Sequence, residues 1–404
     1  MRTRTFASLA ERNYALFYAG QILSLTGSWT EKPALQDLAY SLTGRDERWI
    51  SWIGVLPLVP TLLVSIPAGA YVDRRDPWRI VLWTQTLMML GAGAMAACAY
   101  AGLCTKWHVA AYTIYSSAVF AVDASARQSM VVQLVPRERL ANAIALNASM
   151  FSVARFAGGA VYAAIVRYTG LGNVGCIALN ALSFAFVICS LLLMRLPKRD
   201  TAESQGGTDV WEGVRYALRT PEVRATLLFI CTLSMFGFQI SNLFVVYAHK
   251  VWEVGQPGLG DMHTATGLGA LLGSLALARA ATSVHRGRLM LVYVALAALC
   301  LSAFALTPPF FAALVLLGVG GFLMTQAQSA GNSILQHAVP DRLRGRVMSL
   351  YVMCVLASFP LGALFAGFSA AHIGAPRTTF LDAGILLTAA AAITVTHPSF
   401  RRAR

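Results

Sequence analysis

About a dozen stretches of this chain are apolar for the length needed to cross a bilayer, and short arginine-rich joints separate them. A membrane-spanning helix takes about 20 residues. The stretches run 13–42, 49–72, 78–103, 107–133, 140–168, 171–196, 222–250, 262–282, 288–307, 309–335, 346–371 and 377–397. Gly and Pro occur inside them, as helices in lipid tolerate. Hydrophobic residues make up 57% of the sequence and charged residues 12%, which would leave a water-soluble domain with far too much apolar surface. The expected fold class is an all-α membrane protein with twelve transmembrane helices.

The basic residues set the expected orientation. With both termini on one side of the membrane, that side collects 23 of the 32 Lys and Arg and the other six, with Lys32, Arg127 and Arg155 inside spans. Short cytoplasmic loops carry such an excess, so both termini are expected in the cytoplasm of a bacterial cell, the chain lying in its inner membrane. The net charge of +14 then reflects topology. No basic patch is interleaved with aromatics, and nucleic acid is not an expected partner. The N-terminal Met1-Arg-Thr-Arg-Thr-Phe has no apolar core of a cleavable signal.

The longest polar stretch, Pro197 to Pro221, divides the chain into a six-helix bundle over 1–196, a central cytoplasmic loop over 197–221 and a second bundle over 222–404. In the loop Val210, Val214 and Leu218 share one helical face, which fits a helix lying on the membrane surface or an ordinary linker helix. A shift of 204 residues pairs Gly69 with Gly273, Val135-Pro136 with Val339-Pro340, Leu146 with Leu350 and Gly158 with Gly362. Parallel six-span repeats with a site between them occur in secondary transporters. The seven Cys are scattered without a CxxC, and the His show no HExxH. Neither a disulfide framework nor a metal or cofactor is indicated. No Walker A sequence is present, which argues against ATP drive, and no nucleophile–base pair marks an enzyme.

Between the second and third spans stands Gly69-Ala-Tyr-Val-Asp73-Arg74-Arg75-Asp76-Pro77-Trp78-Arg79. It resembles the "G-x-x-x-D-R" signature loop of the major facilitator superfamily, with Gly69, Asp73 and Arg74 matching, Asp76-Pro77 replacing the usual Gly-Arg and Arg79 supplying a later charge. Phe120-Ala-Val-Asp123-Ala-Ser-Ala-Arg127-Gln128 and Leu134-Val-Pro136-Arg-Glu-Arg-Leu-Ala-Asn142-Ala resemble the "D-A-P-A-R-Q" and "V-P-R-E-x-L-x-N-A" segments of its enterobactin-exporter-like branch. Val339-Pro340-Asp341-Arg-Leu-Arg344-Gly345-Arg346 looks like the counterpart in the second half. Two departures are Ser125 for proline and Arg155-Phe-Ala-Gly158-Gly159 where the branch has "R-x-x-G-P". The resemblance implies two six-helix pseudo-repeats and a proton-coupled exporter of siderophores, drugs or other small molecules, working by alternating access. In that family the signature loop latches the halves, so Gly69, Asp73, Arg74, Arg79, Arg127, Arg344 and Arg346 are expected to gate. Uptake by the same fold, or a membrane receptor or assembly factor that has lost transport, are the alternatives. A monomer is expected.

Within or at the edges of spans the acids are Glu31, Asp37, Asp123 and Asp382. Each charge near the bilayer centre costs roughly 2.5–3.5 kcal/mol on insertion scales, so such residues are expected to pair or line a cavity. Glu31 lies roughly 26 Å along a helix from Tyr14, and Arg155 roughly 22 Å from the start of its own span. The two are thus expected at comparable depth, in a Glu31–Arg155 or Glu31–Lys32–Arg155 cluster, with Lys32, Gln36 and Arg155 as substrate-cavity candidates. Either these charges sit inside the first span or that span ends near Trp29 and they lie in an outer loop. Glu31 and then Asp123 are the expected proton carriers, with Asp123 and Arg127 spaced for an i,i+4 pair. Asp37 and Asp382 are expected at a hydrated outer rim. Gln239, Asn242, Gln328 and Asn332 are substrate-cavity candidates or helix–helix hydrogen-bonding groups. Gly158, Gly159, Gly273 and Gly362 are read as helix-packing positions.

Overall fold

A computed structural model describes residues 7–73, 75–194, 210–277 and 286–396. Over the described residues each expected span is built of helix. The first is α1 (Arg12–Leu42), a continuous helix of 31 residues that carries Pro33 inside it. The charges at Glu31, Lys32 and Asp37 therefore lie within the helix and not in a loop after Trp29. The second expected span is two helices, α2 (Glu47–Val55) and α3 (Leu58–Asp73). Then come α4 (Pro77–Tyr100), α5 (Lys106–Leu134), α6 (Arg137–Tyr168) and α7 (Gly172–Leu192). The loop helix α8 (Val210–Arg219) leads into α9 (Pro221–Thr232) and α10 (Ile240–Val246), joined and followed by single π-helical turns at Leu233–Gly237 and Tyr247–Val251. The remainder are α11 (Gly255–Leu277), α12 (Arg286–Ala305), α13 (Phe310–Ala338), α14 (Asp341–Ile373) and α15 (Ala375–Thr396).

Among the described residues nine helical stretches are long and apolar enough to cross a membrane. Those containing α1, α5 and α11 are not among them, and α1 and α5 hold most of the charges inside spans. Large apolar side chains such as Leu63, Trp83, Leu90, Leu182 and Phe186 stand exposed on the helices. Such a surface suits lipid and not water.

The helices form two compact units. One holds α1, α3 to α7 and the first turn of α11 at Gln256–Gly260; the other holds α2, α8 to α10 and the rest through α15. In the first, the N-terminal turn is tied to the start of α6. Ser8 donates its backbone N–H and hydroxyl to Asn142 Oδ1 at 2.9 and 2.8 Å, and Arg139 pairs with Glu11 at 2.7 Å. Tyr14, fully buried, donates to the Ala143 carbonyl at 2.9 Å. The Asn142 of the "V-P-R-E-x-L-x-N-A" segment thus anchors one helix against another.

In the second unit α2 packs on α14, where Ser51 donates to the Leu364 carbonyl at 3.3 Å and Trp52 meets Phe368 edge-on. Helix α8 is docked by Glu212, which pairs with Arg342 at 2.6 Å and with Arg346, and by the Tyr216 hydroxyl on the Ala338 carbonyl at 3.1 Å. Its opposite side leaves Trp211 and Leu218 exposed.

Close helix approach depends on small residues, since dispersion between packed backbones drives association in lipid. A Cβ at Gly158 on α6 would lie 2.8 Å from the Trp29 carbonyl carbon and 3.0 Å from the Thr26 oxygen on α1. At Gly362 it would run into the Met235 backbone oxygen, and at Gly273 it would stand 3.0 Å from the Phe322 oxygen. Gly159 is buried beside Gly158. Overpacking of this kind costs about 1–3 kcal/mol. Gly158→Ala is therefore expected to lower the thermal midpoint of the purified protein. Gly93→Ala on α4, where nothing lies within 4 Å, is expected to leave it equal or higher, as Ala is the better helix former. A melt showing the two variants alike would remove close packing as the reason for Gly158.

Candidate functional site

The first unit contains a cavity of about 530 Å³ between α1, α5 and α6. Helix α1 contributes Phe17, Gln21 and Leu25, one face at four-residue spacing. Helix α5 adds Phe120, Ala124, Arg127, Gln128 and Val131, and α6 adds Leu140, Ile144, Asn147, Met150 and Phe151. The lining is mostly apolar with a few polar groups, the usual make-up of a small-molecule site, and the volume is drug-sized. Gln21 is 3% exposed, yet both its side-chain nitrogen and oxygen lack hydrogen-bond partners among the described residues, as does Asn147 Oδ1.

Behind this lining lies a carboxylate. Asp123 is fully buried and accepts from the Thr84 hydroxyl at 2.7 Å and the Gln85 amide at 2.9 Å, both on α4. Arg127, one turn along α5, approaches it to 2.5 Å and lies over the Phe120 ring at 5.6 Å. The guanidinium that reaches the cavity is thus already neutralised by Asp123.

Glu31 lies on α1 beyond this cavity. Its carboxylate accepts from the Tyr112 hydroxyl at 2.7 Å and the Asn180 amide at 2.6 Å. The expected Glu31–Arg155 pairing is replaced by this neutral cage. Arg155 instead lies over the Trp29 ring at 5.5 Å, where Lys32 also stands at 5.3 Å. The quadrupole of an indole face draws cations, and one helical turn separates Trp29 from Lys32, so the aromatic competes with the acid for both charges. Gln36, one turn on, is buried.

Two acids expected at a hydrated rim are both 2% exposed. Asp37 accepts from Asn173 at 2.6 Å and from Gln256 at 2.8 Å, while the Tyr162 hydroxyl donates to Asn173. These partners fold over the end of α1 and shut water out. Asp382 on α15 sits among the buried Thr378, Thr379 and Ala383, and its Oδ1 has no partner among the described residues.

In the second unit the amides are engaged with the bundle. Asn242 donates to Gln239, which is fully buried and donates to the Ser234 carbonyl at 3.4 Å. Gln328 hydrogen-bonds Tyr351, and Asn332 accepts from Gln336 at 2.8 Å. Of the latch residues, Arg74, the surroundings of Gly69 and the side chain of Asp73 lie outside the described residues. Arg79 is exposed and 3.8 Å from Asp76, which caps α4 by accepting from the Trp78 N–H at 3.0 Å. Arg344 is exposed, and Arg346 is held by Glu212.

The family model described as transmembrane secretion effector matches residues 3–401. The chain belongs to that family, within the major facilitator superfamily. Among curated proteins it is 24% identical over 375 residues to the multidrug efflux pump Tap of Mycolicibacterium fortuitum, covering 90% of each chain. It is 26% identical over 185 residues to the enterobactin exporter EntS of Escherichia coli, covering 46% of this chain and 44% of that one. Its fold resembles a bacterial homologue of the human lysosomal transporter Spinster, with a TM-score of 0.75 at 15% identity over 98% of both chains.

This secretion-effector-family protein is a multi-pass membrane transporter with efflux pumps among its relatives. The residues that sequence reading misses in it are the partners: Tyr112 and Asn180 for Glu31, Thr84 and Gln85 for Asp123, Asn173 and Gln256 for Asp37. Each is a polar side chain in an apolar helix, and that is the signal that would find them. Gln21 and Asn147 carry the same signal. Removing one partner of a buried ion pair costs about 3–5 kcal/mol, because the other charge is stranded. Asp123→Ala is accordingly expected to destabilise the protein strongly in a detergent melt, and the added change Arg127→Leu to recover much of the loss. Additive effects of the two changes would mean that the pair is not a unit.

Proposed function

We propose that this transporter exports an amphiphilic small molecule from the cytoplasm by alternating access, driven by proton influx, with Glu31 as the proton carrier. The observation that carries the coupling is the setting of Glu31. It is 8% exposed inside a membrane helix, and both carboxylate oxygens accept from neutral donors, Tyr112 and Asn180. No ion pair to it occurs among the described residues. Taking up a proton there changes the net charge of the unit and turns one of the two acceptor oxygens into an O–H donor that clashes with its present donor, which biases any rearrangement of α1 against α5 and α7. Asp123, paired with Arg127, is the second choice. Its proton would release a guanidinium toward the cavity, a change suited to gating. The latch residues Gly69, Asp73, Arg74, Arg79, Arg344 and Arg346 would hold the inner gate, and Arg127 would join them.

The relatives support export, since Tap is a multidrug efflux pump and EntS an enterobactin exporter. The cavity beside Gln21 and Arg127 would take the cargo. The arginine bias of the loops supports an inner-membrane orientation with both termini cytoplasmic. A reporter fused at the C-terminus is expected to read cytoplasm, and one fused after Gly102 the outside; the reverse pattern would invert the direction of transport argued here.

Glu31→Gln keeps the size of the side chain and removes its charge change. In vesicles it is expected to abolish accumulation driven by a pH gradient, at least tenfold in rate, while binding and counterflow of cargo persist. Accumulation at the wild-type rate with the wild-type pH profile would move the coupling site elsewhere.

A further inference from the structure

The polar groups of the first unit's cavity carry a pattern that restricts what can bind there. Gln21 offers a carboxamide edge, one N–H donor beside one carbonyl acceptor, and both atoms are unpartnered at 3% exposure. Asn147 presents a further unpartnered acceptor from α6. No Asp or Glu is among the lining residues, so an organic cation meets no counter-charge. The one guanidinium is engaged by Asp123 at 2.5 Å, so an anion meets no free cation. Phe17, Leu25, Val131, Ile144 and Met150 make the rest of the wall apolar.

We propose that this cavity selects uncharged, largely apolar molecules that carry an adjacent hydrogen-bond donor and acceptor, such as a lactam or primary carboxamide. Gln21 reads that edge in a two-point pair, and Asn147 accepts from a second ligand donor. The proposal rests on the reading that the cavity takes cargo. The physical ground is the asymmetry of hydrogen bonding: a buried donor or acceptor stripped of water without replacement costs far more than a made bond gains. Both atoms of Gln21 are buried without partners among the described residues, so a ligand that covers them without matching them leaves them unserved and is penalised. A ligand that lacks only the donor leaves one carbonyl unserved. This is the mechanism by which polar sites reject near-isosteres more sharply than apolar pockets do.

The test is equilibrium binding to the purified full-length protein in detergent, with no gradient. The probes are a tritiated aryl δ-lactam and its N-methyl analogue, which keeps the shape and loses the donor. The lactam is expected to bind about tenfold tighter or more, in line with one unserved buried group. In Gln21→Leu that ratio is expected to fall to about one, chiefly through weaker lactam binding, with Gln21→Met as a second variant should the first fail to fold. Asn147→Leu is expected to preserve the lactam ratio. Equal affinities in the wild type, no binding of either probe, or a ratio unchanged in both Gln21 variants would overturn the proposal. Binding selectivity that survives while Glu31→Gln transports normally would overturn the coupling scheme and leave this site standing.

Discussion

A polar group inside a bilayer has no water to fall back on, so its hydrogen-bond partners must come from the chain. That constraint organises the first unit. Asp123, Glu31 and Asp37 each lie at or below 8% exposure, and each accepts at least two hydrogen bonds from side chains on other helices. The donors come from α4, α5, α7 and the start of α11, so every acid also fixes the rotation of a helix against its neighbour. Apolar matching alone would leave that rotation loosely specified, because lipid solvates an apolar side chain as well as a neighbouring helix does.

Such bonds require helix axes to come close, and small residues permit it. Gly158 brings α6 onto the Trp29 turn of α1, and a Cβ at Gly27 would collide with Asn180 and Ser183 on α7. Gly27 therefore admits the same Asn180 that holds Glu31, four residues along α1. The Trp29 ring placed by that packing then collects Lys32 and Arg155. Aromatic, acid and cations thus gather at the Trp29 turn of α1, Arg155 reaching it from α6, with no ion pair to Glu31 among the described residues. The acid is served by neutral donors and the cations by a π face.

The fold was legible because it rests on length and apolarity, and both are local properties of the sequence. The stretches of α1, α5 and α11 are the less apolar ones, since charges, polar residues and glycines dilute that signal. The site was legible only in part. Asp123 and Arg127 are one turn apart, and spacing alone places them side by side. Glu31 and Tyr112 are 81 positions apart, and Glu31 and Asn180 are 149 apart. No periodicity links them. Depth arguments align residues along the membrane normal but not around a helix axis. That is why Arg155, at a similar depth to Glu31, turned out to face Trp29. Asp37 and Asp382 were misplaced for a related reason: nearness to the end of a helix suggests water, but packing over that end decides burial.

The two central acids of the first unit are chemically unequal, and the inequality follows from their partners. Asp123 has a cation at 2.5 Å, so the pair is neutral and needs little from its surroundings. Protonating it would create an uncompensated guanidinium, which must then find water or another carboxylate. Glu31 has only a phenol and an amide. Its ionised form is hydrogen-bonded but not charge-balanced by them, so protonation neutralises its site where protonation of Asp123 charges one. A site inside the low-dielectric bilayer rearranges at lower cost when protonation leaves it neutral than when protonation leaves it charged. On the proposed cycle, that favours Glu31 for the travelling proton and leaves Asp123 and Arg127 to the gate. On the selectivity proposed above, the same pairing lets an apolar cavity border an arginine and still favour uncharged molecules.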